Sequence, residues 1–334
     1  MISTGGQALV CGGGGFIGTH LVRRLKQDGL TVRAVDLKRP SYSDSIADEF
    51  IIGDLRNSEL CNQVIDRDFD EVYQLAADMG GAEYIFTGEN DAEIMHNSVT
   101  INLNVLEACC SRRIGGLFFS SSACIYPTEN QTDPDHPNCE EGSAYPAHPD
   151  SEYGWEKLFS ERLYMAYGRN KGLKVRIGRY HNIFGPECAW EGGREKAPAA
   201  ICRKVAACGR DDKIDVIGDG SQTRSFLFID DCIEATVRLC RSDFQGAVNI
   251  GSEEMVTIDG LVDLVGEIAG KKIEKVHRAG PVGVRGRNSN NRLIGEKLNW
   301  TPKTSLRAGL LSTYAWIESE VLKARRSPVA IAGQ

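Results

Sequence analysis

The sequence lacks the features that mark membrane proteins and nucleic-acid-binding proteins. None of its apolar runs approaches the ~18 residues that a membrane-spanning helix needs. Acidic residues outnumber basic ones by 46 to 39, which gives a formal net charge of −7, and no polybasic block occurs. We therefore expect no membrane and no nucleic acid as partner, although a local basic pocket for a phosphorylated ligand is compatible with this charge.

The residue spacings that hold structural metals or disulfide frameworks are missing as well. The 11 cysteines are scattered and odd in number, and they include no C-x-x-C pair. The six histidines are equally dispersed. Free thiols without metal-ligand spacing are typical of proteins in a reducing compartment. We therefore expect no metal, no disulfides and a cytoplasmic location.

The sequence does contain a regular alternation of strand and helix patterns. Its 334 residues, of which 41% are hydrophobic and 25% charged, can bury a sizeable core in one large domain or two joined domains. Apolar runs that favour strands occur at residues 8–11, 31–35, 50–52, 72–77, 117–120 and 175–177, with helical spacing between several of them. This order predicts an α/β fold with a doubly wound parallel (Rossmann) sheet.

A glycine-rich turn follows the first predicted strand. The run from Gly12 to Gly18 fits G-x-G-x-x-G starting at Gly13, and it also fits G-x-x-G-x-x-G starting at Gly12. Glycines in such a turn let backbone N–H groups approach a pyrophosphate, and the N-terminus of the following helix favours the anion. A strand, a glycine turn and a helix in this order predict a dinucleotide site.

Acidic residues lie at the ends of the next two predicted strands. Asp36 ends the second strand, where a carboxylate can bind ribose hydroxyls and repel a 2′-phosphate, so NAD is favoured. Lys38 and Arg39 follow closely and leave some room for the phosphorylated cofactor. Asp54 follows the third strand. Ligands of doubly wound sheets bind beyond the carboxyl ends of the strands, where these residues are expected to lie.

The character of the sequence changes near residue 180. We predict an NAD-binding Rossmann domain at residues 1–180, to which part of 225–250 returns. A smaller α/β substrate-binding domain is predicted at residues 181–334. Residues 226–241 have the pattern of a sheet-associated segment, and residues 197–207 that of a helix.

A tyrosine and a lysine four positions apart suggest alcohol oxidation. Tyr153 and Lys157 would share one face of a helix. A phenol has a pKa near 10, and a nearby ammonium lowers that pKa. The resulting phenolate could take a hydroxyl proton while hydride leaves the same carbon. Ser122, just past the fifth predicted strand, could hold the substrate oxygen, although the neighbouring serines 120 and 121 leave the choice open.

Two further groups have both a structural and a chemical interpretation. Cys124 could be a small buried hydrophobe or an acid/base group beside the cofactor crevice. Lys196 could be a solvated charge or a proton donor. Arg224, Arg285 and Arg287 could be solvated loop residues or the anion pocket of a diphosphate, for which a guanidinium fork is well suited.

Longer stretches carry a family resemblance. They are LAADMGG (75–81), SSACIYP (121–127), GGREKAPAA (192–200), GDGSQTRSF (218–226) and GVRGRNS (283–289). Together with the glycine turn and the Tyr–Lys pair, they resemble the extended short-chain dehydrogenase/reductase (NAD-dependent epimerase/dehydratase) family, whose members act on nucleotide sugars. Within it they are similar to the branch that epimerises GDP-mannose at C3 and C5. The resemblance covers about residues 5–320.

The resemblance implies a role for individual positions. It implies catalytic roles for Tyr153, Lys157, Ser122, Cys124 and Lys196. It implies NAD contacts at Gly12, Gly15, Phe16, Ile17, Gly18, Asp36, Asp54, Leu55, Ala76, Tyr153 and Lys157. It implies GDP-mannose contacts at Gly80, Ser122, Ala123, Cys124, Asn182, Glu195, Lys196, Ala197, Lys204, Gln222, Arg224 and Arg287.

The resemblance also implies a reaction and an assembly. NAD would take hydride from C4 of the hexose while Tyr153 accepts the hydroxyl proton. The 4-ketone acidifies the hydrogens at C3 and C5, so that Cys124 and Lys196 can exchange protons from opposite faces. Return of the hydride would give GDP-L-galactose, with GDP-L-gulose as a side product. The family usually forms homodimers through two helices of the first domain.

Three alternative functions fit parts of the sequence less well. A nucleotide-sugar 4-epimerase would leave Cys124 and Lys196 without a role. A GDP-fucose-synthase-like enzyme is expected to carry histidine after the Gly-Pro turn and to use NADPH, whereas Glu187 follows Pro186 here and Asp36 favours NAD. A dinucleotide-binding sensor or scaffold would commonly lose the tyrosine or the lysine, and both are present.

Overall fold

A seven-stranded parallel sheet forms the centre of the fold. The computed structural model describes residues 5–209, 212–280 and 283–326. The strands of this sheet are β1 (Gln7–Cys11), β2 (Thr31–Asp36), β3 (Glu49–Ile52), β4 (Phe69–Gln74), β5 (Ile114–Ser122), β6 (Val175–Tyr180) and β11 (Ala247–Ile250). They lie in the order β11–β6–β5–β4–β1–β2–β3, and every neighbouring pair is parallel. The predicted doubly wound parallel fold is confirmed.

Helices cover both faces of this sheet. They are α1 (Phe16–Gln27), α2 (Ser58–Val64), α3 (Ala82–Phe86), α4 (Asp91–Cys110), α5 (Glu152–Lys171) and α7 (Ile229–Arg241). Side chains of a strand alternate between the two faces. Accordingly Ala8 and Val10 of β1 join one buried cluster, while Leu9 and Cys11 join the other. The sheet is therefore buried on both sides, as parallel sheets require.

Short strands and helices of different length form the second part of the molecule. The strands are β7 (Ile183–Phe184), β8 (Lys213–Ile217), β9 (Thr223–Ser225), β10 (Leu227–Phe228), β12 (Met255–Thr257), β13 (Glu274–Arg278) and β14 (Gly286–Arg287). The helices are α6 (Ala197–Ala207), α8 (Ile258–Ala269), α9 (Arg292–Leu298) and α10 (Leu306–Arg326). The strands pair as β10–β7, β12–β9–β14 and β13–β8, and α6 packs against α8 and α10.

The segment at 226–241 is associated with the sheet, as predicted. It consists of the short strand β10 and helix α7, which packs on β5, β6 and α1. Its apolar residues cover the sheet. After α7 the chain enters β11, which pairs with β6. The boundary at residue 180 stays a prediction, and residues 327–334 of the predicted second domain lie outside the described residues.

The described part of the chain offers no membrane-spanning element and no metal centre. Within residues 5–209, 212–280 and 283–326, no helix is both long and apolar enough to cross a bilayer. In the same ranges, no three His, Cys, Asp or Glu side chains converge as metal ligands would. Each of the 11 cysteines carries a free thiol, and eight of them are buried.

Candidate functional site

A crevice of about 730 Å³ opens at the carboxyl ends of the central strands. It lies where β1 and β4 are neighbours and the strand order reverses, which is the ligand position expected for a doubly wound sheet. Most predicted site residues line it, namely Gly12, Gly15, Phe16, Ile17, Gly18, Asp36, Asp54, Leu55, Ala76, Gly80, Ser122, Ala123, Cys124, Tyr153, Lys157, Asn182, Lys196 and Arg287. Glu195, Ala197, Lys204, Gln222 and Arg224 are not among the lining residues.

The glycine turn is shaped for a close backbone approach. A Cβ atom on Gly18 would lie 2.0 Å from the carbonyl oxygen of Gly12, so helix α1 can start directly against the turn only with glycine there. Gly12 has φ +85°, a conformation that favours glycine. A Cβ on Gly15 would meet only the Gly12 oxygen, at 3.4 Å, and would otherwise project into open space. Backbone amides at the start of α1 are thus accessible to a pyrophosphate, and the site fits NAD.

Carboxylates at the ends of β2 and β3 frame the other end of the crevice. Asp36 accepts hydrogen bonds from the backbone N–H groups of Gly14 at 3.0 Å and Lys38 at 3.3 Å, which fixes its side chain beside the glycine turn. Asp54 pairs with Arg56 at 2.6 Å. The hydrogen bonds from Arg56 lower the pKa of Asp54, which keeps that carboxylate charged.

The Tyr–Lys pair is buried beneath the crevice. Helix α5 begins after Ser151, whose hydroxyl accepts from the N–H of Gly154 at 3.3 Å. The Nζ atom of Lys157 donates to the carbonyl oxygen of Ser120 at 3.2 Å and lies 5.7 Å from the ring centroid of Tyr153. The two side chains therefore share one helix face, as their spacing predicts.

The spacing of Tyr153 and Lys157 predicts a lowered pKa for the phenol, and this prediction is wrong for the protein by itself. Burial raises the pKa of Tyr153 above its ordinary value, and the nearby Cys124 and Glu156 raise it further. A hydrogen bond with Ser122 acts in the opposite direction. Burial also lowers the pKa of Lys157. Exclusion of water therefore has the largest effect on the pKa of the phenol, which the sequence pattern alone could not show.

Ser122 and Cys124 are held in a tight turn against the start of α5. Ser122 accepts a hydrogen bond from the N–H of Cys124 at 3.2 Å. A Cβ on Gly154 would lie only 2.2 Å from the carbonyl oxygen of Cys124, so this glycine lets the helix pack directly on the turn. Ser120 and Ser121 instead donate to Gln74 and Glu161. The hydrogen bond of Ser122 with Tyr153 favours Ser122 within the serine run, and its role stays a prediction.

Lys196 and Arg287 enter the same crevice from the second part of the molecule. Lys196 precedes α6, and its Nζ donates to the carbonyl oxygen of Gly80 at 3.3 Å. The residue is accessible from the crevice, yet the partial loss of water around its ammonium lowers the pKa of Lys196. Arg287 on β14 donates through Nη1 to Sγ of Cys124 at 3.2 Å. The proposed acid/base residues are thus brought together by the tertiary fold.

The remaining predicted substrate contacts lie behind or beside the crevice. Glu195 pairs with Arg203 at 2.9 Å, and Ala197 opens α6. Lys204 donates to the backbone of Asp215 at 2.7 Å. Gln222 is buried and donates to the carbonyl of Ile217. These positions stay predictions as substrate contacts.

The three arginines of the predicted anion pocket separate in space. Arg224 donates to the carbonyl of Val284 at 2.7 Å, and the charges of both other arginines act on it, that of Arg287 more strongly than that of Arg285. Arg285 instead pairs with Asp219 at 3.2 Å and is 41% exposed. The structure therefore brings Arg224 and Arg287 together and directs Arg285 to the surface.

The sequence reasoning missed several residues around the crevice. Arg194 lies 4.7 Å above the ring centroid of Tyr84, whose hydroxyl donates to Asp78, and all three line the crevice. Nothing in the spacing signals the contact of Arg194 with Tyr84, because it joins the segment before α6 to α3, far apart in the chain. Glu156 was missed as well, although its position could be read from the sequence. It lies three residues after Tyr153, which places both on the same helix face.

Comparison with known proteins agrees with this site. The NAD dependent epimerase/dehydratase family matches residues 8–251 of the chain. GDP-mannose 3,5-epimerase of Arabidopsis thaliana is 45% identical over 328 residues, which cover 97% of this chain and 86% of that protein. GDP-mannose 3,5-epimerase 1 of Oryza sativa subsp. indica is 44% identical over 326 residues, which cover 97% and 85%.

A solved structure shares the fold. UDP-glucuronic acid 4-epimerase from Bacillus cereus, in complex with UDP-glucuronic acid and NAD, matches with a TM-score of 0.81 at 25% identity. The match covers 94% of this chain and 99% of that chain. The family resemblance seen in the sequence is confirmed, because the family match spans more than half of the chain and the relatives match nearly all of it. The chain belongs to the NAD dependent epimerase/dehydratase family.

Proposed function

We propose that the protein is an isomerase that converts GDP-D-mannose to GDP-L-galactose, and to some GDP-L-gulose, by epimerisation at C3 and C5. The observation that carries this proposal is the identity of 45% to GDP-mannose 3,5-epimerase over 97% of the chain. The geometry supports it, because Cys124 and Lys196 line the same crevice as Tyr153 and Lys157. A 4-epimerase would need only the latter pair.

The residues of the crevice divide the chemistry between them. Bound NAD supplies a reversible hydride acceptor for C4 of the sugar. Tyr153 accepts the proton of the C4 hydroxyl, and Ser122, beside it, orients that oxygen. Lys157 holds a positive charge beneath the phenol. The hydrogens at C3 and C5 are acidic only while C4 is a ketone, which is why one site performs both reactions.

Cys124 and Lys196 exchange protons at C3 and C5. They enter the crevice from different parts of the fold, Cys124 from the turn after β5 and Lys196 from the residue before α6. Inversion at carbon requires removal of a proton from one face and delivery to the other. The lowered pKa of Lys196 makes proton release from its ammonium easier.

Incubation with GDP-mannose in D₂O tests the proposal. The expected result is deuterium at C3 and C5 and new galactose- and gulose-type signals in the NMR spectrum of the sugar. The matched control is UDP-glucose under the same conditions. Absence of exchange, with interconversion of UDP-glucose and UDP-galactose by the same preparation, would overturn the proposal in favour of a 4-epimerase.

We also propose that the protein is a homodimer joined through α4 and α5. These helices pack against each other and carry exposed apolar residues, with Leu103 at 38%, Trp155 at 39% and Phe159 at 49% exposure. Burial of such residues in a partner would stabilise a dimer. Sedimentation analysis should give twice the mass of the chain, and Phe159→Glu should give monomers. A monomeric wild-type protein would contradict the proposal.

The same proposal includes a cytoplasmic location. The support is chemical, since 11 free thiols are compatible with a reducing compartment. Fractionation of cells that express the full protein tests it. Recovery of the protein from an oxidising compartment would contradict it.

A further inference from the structure

Glu156 is a buried carboxylate that the proposed chemistry does not use. It lies inside the Tyr153–Lys157 motif and is completely inaccessible to solvent. Its Oε1 atom accepts hydrogen bonds from Asn102 Nδ2 at 3.2 Å and from Ser160 Oγ at 2.7 Å. Its Oε2 atom has no hydrogen-bond partner among the described residues and lies 3.9 Å from Nζ of Lys157.

A chain of buried amides ties this carboxylate to the wall of the crevice. Asn102 Oδ1 accepts from Gln74 Nε2 at 3.0 Å and from the hydroxyl of Tyr164 at 3.2 Å. Gln74 in turn donates to the carbonyl of Ala76 at 2.9 Å and accepts from its N–H at 3.2 Å. Ala76 lines the crevice. The position of the carboxylate is therefore fixed by side chains from β4, α4 and α5.

The pairing of Glu156 with Lys157 has a clear electrostatic reason. Lys157 is only 2% exposed, and a buried ammonium without an opposite charge tends to lose its proton. The separation of 3.9 Å is too long for a hydrogen bond but short for two charges away from water. Lys157 uses one N–H on the carbonyl of Ser120, which leaves its other N–H groups for the crevice.

We propose that Glu156 is a positioning residue that balances the buried charge of Lys157 and thereby sets the pH range in which the Tyr153–Lys157 pair works. This inference rests on the proposed function only through the hydride step at C4. It assigns to Glu156 no contact with substrate or cofactor.

The other charged groups around the pair do not replace Glu156. The groups that act on Lys157 are Glu156 first, then Cys124 and Glu161, and all three raise its pKa against the effect of burial. Glu161 is already paired with Arg179 at 2.8 Å. Tyr153 is affected by Cys124 and Glu156, which raise its pKa, and by Ser122, which lowers it. Glu156 thus raises the pKa of both members of the pair.

Removal of the charge of Glu156 should lower the pKa of both Tyr153 and Lys157. Without the negative charge, the phenol loses its proton at lower pH, and the ammonium also loses its proton at lower pH. Both limbs of the pH–rate profile of the hydride step should therefore move to lower pH, by about one unit or more for charges at this distance. The limbs report the coupled pair rather than either residue alone.

Glu156→Gln in the NAD-loaded protein with GDP-mannose tests the proposal. The rate of formation of reduced nicotinamide is followed in single turnovers by its absorbance, across a range of pH. The expected result is a profile displaced as a whole to lower pH. A lower rate at every pH, with both limbs in place, would overturn the proposal and leave Glu156 a purely structural role.

Two variants separate charge from packing. Glu156→Asp keeps the charge but withdraws it from Nζ, so a smaller displacement in the same direction is expected. This variant carries the test if Glu156→Gln does not fold, and an unmoved profile for it would then overturn the proposal. Ser160→Ala removes a hydrogen bond to Glu156 without removing charge, so its profile should stay in place.

The proposed function can fail independently. Wild-type protein that exchanges no deuterium at C3 or C5 but reduces its nicotinamide with a nucleotide sugar would overturn the 3,5-epimerase assignment. The position of the Glu156→Gln profile would then still decide the role of Glu156 with that sugar.

Discussion

The two sides of the crevice are built by different means. On the cofactor side, residues follow the ends of β1, β2 and β3 or lie on α5, so long regular elements set their positions. On the sugar side, Lys196 precedes α6 and Arg287 lies on a two-residue strand, and each reaches the centre only through contacts distant in sequence. In the proposed function, the cofactor side is the generic binding surface for NAD, whereas the sugar side determines which carbon atoms react.

The largest expected effect tests whether the cofactor side controls every step. Tyr153→Phe removes the group that takes the C4 proton, so no ketone forms. Turnover and deuterium exchange at C3 and C5 should both fall by about a hundred- to ten-thousand-fold. NMR of the sugar in D₂O measures both, and NAD binding with thermal unfolding provides the control for folding. Exchange that survives in this variant would show that the two sides act independently.

A smaller and more selective effect is expected on the sugar side. Cys124→Ala and Lys196→Met should each lower exchange at C3 and C5 by about a hundredfold, while transient reduction of the nicotinamide continues. The reason is that both residues act after C4 has been oxidised. Cys110→Ala, which changes a thiol at the end of α4, is the matched control and should have no effect. An equal loss of nicotinamide reduction and of deuterium exchange in the Cys124 variant would contradict the proposed separation of roles between the two sides.

The two arginines near β14 allow the finest comparison. Arg287 is buried and donates to Cys124, Gln131 and Asp150, at 3.2, 2.5 and 3.1 Å. Arg287→Lys cannot reproduce this fork, and the rate of exchange should fall by about ten- to a hundredfold.

The matched control for that variant is Arg285→Lys. Arg285 pairs with Asp219 at the surface, and exposed pairs of this kind contribute little, so exchange should remain at the wild-type rate. Exchange rates measured side by side give the comparison. A larger loss of exchange in Arg285→Lys than in Arg287→Lys would contradict the assignment of the anion pocket to Arg287.

Local sequence patterns were sufficient for most of the cofactor side. The glycine turn, Asp36 and the Tyr153–Lys157 spacing each depend on short-range geometry, and the structure places all of them at the crevice. The helix predicted at 197–207 coincides with α6, because its apolar spacing and its early proline are local signals. At 226–241 the predicted association with the sheet is also confirmed, since α7 covers the sheet.

The sequence by itself determined the parallel α/β sheet and the dinucleotide turn. These features depend on residue type and short spacing, which fix backbone conformation and the face of a helix. Only the tertiary structure decided that Arg287 contacts Cys124, that Arg285 does not enter the crevice, and that Glu156 lies against Lys157. It also decided the direction of the pKa shift of Tyr153, because desolvation depends on everything that surrounds a side chain.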